Sequence, residues 1–330
     1  MTPLCPPRWS TLDLVEAFQL CHAVAALHEL GVLAALARPR TARAVARLRR
    51  LDETLLRGAL EYVAARTDLV LKVGDRFAAT ARYTPAARFL IDLYAGAFAG
   101  NAAELPHLMR APTRAARAVD RRRQAGAFAA SPGSGAGAVP ALLHQLGLDH
   151  VLDVGCGSAG MLIEAAALNP AFVGWGIELY PAMRRLARHR IRAAGLGRRV
   201  RVLAGDGMHL AAALPAALRA AIRTITLCQV ANEMFGDGGR RFVGWLRAAR
   251  RLLPGRLLLV SDYYGRLGHR GSAAADRETL LHDYAQLISG QGIPPASAKE
   301  WGALYAAAGC RLLHVVEDRA TTRFVHLVRL

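Results

Sequence analysis

Lysine is almost absent from this 330-residue chain, Lys72 and Lys299 being its only two. Lys+Arg nevertheless reaches 43 against 25 Asp+Glu, so arginine carries nearly all of a formal net charge of +18. A balance this positive raises nucleic acid as a partner. Arginine in place of lysine, beside so much alanine, is what a GC-rich coding sequence produces without selection for binding. Aromatics are scarce too, at 6%, and they are not interleaved with the arginines as a stacking platform for single strands requires. The reading is a small-molecule partner rather than RNA or DNA, and an acidic substrate is compatible with the charge without being demanded by it.

Cysteine supplies no framework. Cys5, Cys21, Cys156, Cys228 and Cys310 lack the paired spacing of zinc ligands or a disulfide lattice, so no metal site is read. Most are small core residues by this reading. No uninterrupted apolar run reaches the roughly 18 residues of a membrane span, and the first residues lack the charged-then-apolar layout of a signal peptide. The expectation is a cytoplasmic enzyme. With 53% hydrophobic residues, the chain has apolar material for two domains, each with its own core.

What is present is one informative stretch. Val151-Leu152-Asp153-Val154 is a short apolar run ending in Gly155-Cys156-Gly157-Ser158-Ala159-Gly160, and Met161 to Leu168 is a good helix former. Strand, tight glycine turn and helix make a nucleotide-binding crevice in a doubly wound sheet. Glycine lets the backbone approach a ligand, and the helix N-terminus offers unpaired N–H groups. A second run, Phe172 to Ile177, ends in Glu178, placed to accept hydrogen bonds from two ribose hydroxyls. A third, Val200 to Ala204, ends in Gly205-Asp206-Gly207-Met208. A fourth, Thr224 to Cys228, ends in Gln229-Val230-Ala231-Asn232-Glu233.

Polar residues at four successive strand ends resemble the S-adenosylmethionine-binding motifs of class I methyltransferases. The resemblance implies that Asp153 and the Gly155-Cys156-Gly157 turn face the methionine half of the cofactor. Glu178 and Leu179 would border the ribose, and Gly205, Asp206, Gly207 and Met208 the adenine, with Gln229 beside them. S-adenosylhomocysteine would be the product. The family's third glycine is replaced by Ala159. A nicotinamide enzyme remains the alternative, since Gly155-x-Gly157-x-x-Gly160 also fits its fingerprint.

Upstream, residues 11–37 are apolar-periodic and helical around a punctuating Gly31. Thr41 and Asp52 each open a further helix, and 69–80 folds as a hairpin about Gly74-Asp75. This order is a winged helix. It resembles the N-terminal dimerisation domain of small-molecule O-methyltransferases, which implies a homodimer; the alternative is a DNA-binding regulator. Thr84-Pro85 starts another helix, Arg110 to Arg123 reads as a basic solvated helix, and 130–137 as a loop. The fold class is therefore α/β: a Rossmann-like domain with a mostly parallel seven-stranded sheet and an antiparallel edge hairpin, preceded by a mainly α winged-helix domain. The expected boundaries are 1–100, a connector at 101–140, and a catalytic domain at 141–330.

The family pattern breaks at the base. In hydroxyl-methylating relatives a His-Asp pair follows the fourth strand, and its positions here hold Asn232-Glu233. Asn232 can orient an acceptor but takes no proton. Glu233 can act as a base if burial raises its pKa. His282, in a segment resembling the substrate-side helix, is the other candidate, although a lone histidine is commonly a packed, hydrogen-bonded residue. The implied reaction is O-methylation of a small natural-product-like molecule. The missing imidazole keeps C-methylation of a 2-oxo acid and S-methylation of a thioether or thiol open.

Overall fold

The computed structural model describes residues 9–130, 137–269, 277–318 and 321–330. The chain divides into two compact units, Met1–Gly100 with Arg122–Pro132, and Asn101–Arg121 with Gly133–Leu330.

In the first unit, α1 (Thr11–Glu29) starts from a reciprocal cap. The Ser10 hydroxyl accepts from the Asp13 N–H, and the Asp13 carboxylate accepts from the Ser10 N–H. After one helical turn at Val32–Ala35 come β1 (Arg40–Thr41), α2 (Ala42–Arg49) and α3 (Glu53–Arg66). Thr41 and Asp52 cap the last two through their side-chain oxygens, as their positions predict. β2 (Val70–Val73) and β3 (Arg76–Ala79) pair as the hairpin, and β1 adds to the free edge of β3. α4 (Pro85–Asp92) begins at Thr84 and runs into a π turn, Leu93–Ala97. Leu33, Leu36, Val45, Leu60, Val63 and Phe77 form a closed core.

The basic run from Arg110 to Arg123 is not one helix. Pro112 opens a 3-10 segment, Pro112–Arg117, and a separate helix, α5 (Arg121–Ala130), follows. Proline disfavours helical backbone at the residue before it, and Ala111 accordingly sits at φ −141.

The second unit runs α6 (Val139–Gln145), β4 (His150–Val154), α7 (Gly160–Leu168), β5 (Val173–Glu178), α8 (Pro181–Ala193) and β6 (Val200–Ala204). It continues through β7 (Thr224–Cys228), α9 (Arg240–Leu252), β8 (Leu257–Tyr263), α10 (Arg277–Ile288), α11 (Ala298–Ala307), β9 (Arg311–Glu317) and β10 (Arg323–Arg329). The sheet order is β6-β5-β4-β7-β8-β10-β9. Strands β4, β5, β6, β7 and β8 are mutually parallel, and β10 runs antiparallel to both β8 and β9. This is the α/β architecture expected, with its antiparallel edge hairpin.

Both faces of the sheet are covered, which is why β4 and β5 read as near-continuous apolar runs. Trp175, Ile177, Leu227, Phe242 and Trp301 belong to one layer, and Val151, Leu162, Phe172, Ala187 and Leu259 to the other. The chain builds outward from β4 to β6 and then returns to β7. The carboxyl ends of β4 and β7 thus flank a topological switch point, where such sheets hold ligands. Helix α10 opens in the described residues at Arg277; 270–276 lie outside them, as does 131–136 of the expected loop. Among the described residues no helix is long and apolar enough to cross a membrane.

Candidate active site

Beyond β4 the backbone is left-handed at Gly155 (φ +71), Gly157 (φ +53) and Ala159 (φ +61). The N–H groups of Gly155 and Cys156 donate to the Ile177 carbonyl at 2.9 and 3.0 Å, pinning the turn to β5. A Cβ at 155 would lie 2.7 Å from Val230 Cγ2, so that position is filled by protein. At 157 it would meet only Met183 Cε, at 3.6 Å. Open space over this backbone, at the carboxyl end of β4, leaves room for a ligand to approach it. Ala159 keeps the turn geometry with a fully buried methyl, and that burial offsets the strain of its left-handed conformation.

The Glu178 carboxylate ties the turn to the end of β5. Its Oε2 accepts from the Gly157 N–H at 3.0 Å and its Oε1 from the Tyr180 N–H at 2.7 Å. Burial pushes its pKa up, opposed by the N–H groups of Tyr180, Gly157 and Leu179. Leu179 itself stands half-exposed beside it. Beneath the turn, Asp153 accepts from Thr226 Oγ1 at 2.8 Å. Burial pushes Asp153 up to about 7; the Thr226 hydroxyl opposes this and the Glu178 charge adds to it. Burial also drives the Cys156 thiol well above its usual range, with the Asp153 and Glu178 charges adding to it.

After β6, Asp206 accepts from the Met208 N–H at 2.8 Å, and its other oxygen meets His209 Nδ1 at 2.9 Å. A Cβ on Gly205 would strike Ala213, and the Gly207 carbonyl accepts from Trp245 Nε1 at 2.8 Å. Past β7, Gln229 holds φ +58 with its N–H bonded to the Ser261 carbonyl. Non-glycine residues held in the left-handed region cluster at functional sites, which makes Gln229 a candidate. The residues read from the sequence as cofactor-binding therefore all lie at the carboxyl ends of β4, β5, β6 and β7.

Asn232 and Glu233 form a 3-10 turn, Ala231–Met234. The buried Asp262 carboxylate holds that turn by accepting from the N–H groups of Asn232 and Tyr263, both at 3.0 Å. Burial raises Asp262 to about 7 against those two bonds. Asn232 is 2% exposed and its Oδ1 has no hydrogen-bond partner. Burial also raises Glu233, with Arg121 opposing and Glu178 adding. The Arg121 guanidinium lies 5.1 Å over the Tyr180 ring.

His282 projects from α10 against Tyr263, ring centroids 5.1 Å apart, and its Nε2 is 3.2 Å from Gln286 Nε2. Burial, together with Arg323, pulls it down to about 4. It is neutral at neutral pH and a weak base. Among the described residues no group of His, Cys, Asp and Glu could hold a metal.

Sequence reasoning passed over Thr226, Tyr180, Arg121, Asp262 and Gln286. Asp262 carried a signal, since it ends a strand as Asp153 does. Arg121 was hidden among equivalent arginines.

Residues 151–241 match the family described as a methyltransferase domain. This stretch is a methyltransferase domain. Its limits enclose the glycine turn, Glu178, Asp206 and the Asn232-Glu233 turn. Solved structures share the whole fold. The mitomycin 7-O-methyltransferase MmcR aligns over 96% of both chains at 21% identity and TM-score 0.75. PigF, solved with S-adenosylhomocysteine, covers 98% of this chain and 100% of its own at 18% identity and TM-score 0.75. NcsB1, an O-methyltransferase from neocarzinostatin biosynthesis, was solved with S-adenosylmethionine and 2-hydroxy-5-methyl naphthoic acid. It covers 97% of this chain and 98% of its own at 18% identity and TM-score 0.66. No curated protein matches the chain in sequence.

Proposed function

We propose that the chain transfers a methyl group from S-adenosylmethionine to an oxygen of a small, natural-product-like acceptor. The observation that carries this reading is the open space over Gly157, bordered by the Glu178 carboxylate at the switch point of a methyltransferase domain. When bound, S-adenosylmethionine supplies an electrophilic methyl group on a sulfonium. The chain's own work is to orient and to manage protons. The Gly155–Gly157 backbone and Asp153 border the amino-acid half, Glu178 holds the ribose, and Asp206 with Met208 flanks the adenine. Asn232 orients the acceptor through its free Oδ1, and Glu233, raised by burial, takes the acceptor proton. The weak basicity of His282 leaves it a positioning role.

Asn232-Glu233 in place of a His-Asp pair supports a second reading: an acceptor that needs no strong base, such as a carboxylate, a thioether or an enolisable 2-oxo acid. A homodimer formed through the first unit and a cytoplasmic location complete the proposal.

Calorimetry with S-adenosylhomocysteine beside NAD tests the cofactor. Micromolar binding of the first and none of the second is the expected result, and the reverse overturns it. An acceptor screen over phenols, carboxylates, 2-oxo acids and thioethers, read by mass, then separates the two acceptor readings. With a phenolic acceptor, Glu233→Gln should slow turnover roughly 10²-fold or more while leaving S-adenosylhomocysteine affinity unchanged. Unchanged turnover removes Glu233 as the base.

A further inference from the structure

The first unit contains a concave basic site that methyl transfer does not use. A cavity of about 330 Å³ is lined by Arg38, Pro39, Arg40, Thr41, Ala44 and Arg76. The ladder pairs Thr41 with Arg76 and Arg40 with Phe77, which draws the β3 arginine to the start of α2. Five other arginines of this unit have carboxylate partners: Arg43 and Arg57 with Glu53, Arg66 with Glu16, Arg82 with Asp68, and Arg123 with Glu29. Among the described residues, Arg38, Arg40 and Arg76 have no carboxylate within ion-pair distance. Arg76 makes one long bond, to the Pro39 carbonyl at 3.5 Å. Arg40 Nε is buried with no hydrogen-bond partner.

An orphaned buried guanidinium N–H calls for an acceptor. The start of α2 adds the positive end of a helix dipole, and its first turn holds no acidic residue to neutralise it. Planar guanidinium forks match the oxygen spacing of phosphate. A concavity of this volume accepts one phosphoryl group and a small remainder, whereas duplex binding needs a row of contacts along a surface.

We propose that this cavity binds a phosphate-bearing small molecule, its dianion held by Arg38, Arg40 and Arg76 above the N-terminus of α2. The test titrates the full chain with inorganic pyrophosphate and inorganic phosphate at constant ionic strength, read by calorimetry and thermal shift. The expected result is saturable one-site binding that weakens at least tenfold in Arg40→Gln/Arg76→Gln. The control Arg251→Gln should bind as the unaltered chain does, and S-adenosylhomocysteine affinity should stay the same throughout. Should the double variant fail to fold, the exposed single change Arg38→Gln reads the same loss. Three results overturn the proposal: a response matched by chloride, full binding in the variants, or displacement of pyrophosphate by a short DNA duplex with steep salt dependence.

Discussion

At the residue scale, the two glycines of the turn after β4 look equivalent in sequence and are not so in structure. Gly155 is hemmed in by Val230, whereas Gly157 faces open space. Gly157→Ala should therefore cost about 1–2 kcal/mol of stability, from left-handed strain alone, yet abolish S-adenosylhomocysteine binding in calorimetry. Gly155→Ala should cost more stability, because Val230 must move. Equal effects of the two on unfolding would sink the distinction. Asp153 offers a second test. Its pKa rises from 3.8 to about 7 on folding, so between those values the folded state keeps a proton that the unfolded state has lost. Its contribution to stability falls as pH rises through that window and is level above it. Asp153→Asn keeps an acceptor for Thr226 and removes the charge. Urea unfolding should find it more stable than the unaltered chain by about 2–4 kcal/mol at pH 8, and equal to it near pH 4.

At the element scale, the strands were legible because parallel strands buried on both faces leave apolar runs that end abruptly in polar residues. The runs ending at Asp153, Glu178, Ala204 and Cys228 coincide with β4 to β7 to within a residue. The caps at Thr41, Asp52 and Thr84 were legible for an equally local reason. What local pattern could not show was which buried polar groups answer one another across the sequence. Asp283 is the clearest instance. Fully buried on α10, it accepts from Tyr263 O–H at 2.9 Å and from the N–H groups of Arg266 and Leu267 at 2.6 and 2.8 Å. It fixes the tip of β8, where Asp262 anchors Asn232. Its neighbour His282 drew the attention because histidine advertises chemistry, while Asp283 does the holding. Asp283→Ala removes the shared acceptor of one buried and two part-buried donors and should cost about 2–4 kcal/mol, read by chemical unfolding. Asp283→Asn, which keeps one acceptor oxygen, should cost less. A loss under about 1 kcal/mol for the alanine variant would show that water replaces the carboxylate.

At the scale of the whole molecule, the first unit carries an apolar surface that its own core leaves unused. Trp9, Leu12, Val15 and Phe18, at and just beyond the start of α1, are 50, 75, 54 and 59% exposed, although Val24 and Leu27 farther along the helix are buried. A helix apolar on more than its core-facing side, with its start capped by Ser10 and Asp13, is built to persist as a helix while presenting apolar surface outward. Contiguous exposed apolar patches mark association sites, and covering them recovers roughly 25 cal/mol for each Å² removed from water. The proposed occupant is a second copy of this chain. Sedimentation at micromolar concentration should then find a dimer, and its melting temperature should rise with concentration. Leu12→Glu/Phe18→Glu should sediment as a monomer and keep the helical circular dichroism of the unaltered chain, because neither side chain belongs to the core. A monomeric unaltered chain would refute the dimer outright. A double variant that stays dimeric would move the interface to another surface, such as the one bearing Leu281, Tyr284 and Leu287, the half-exposed side chains of α10.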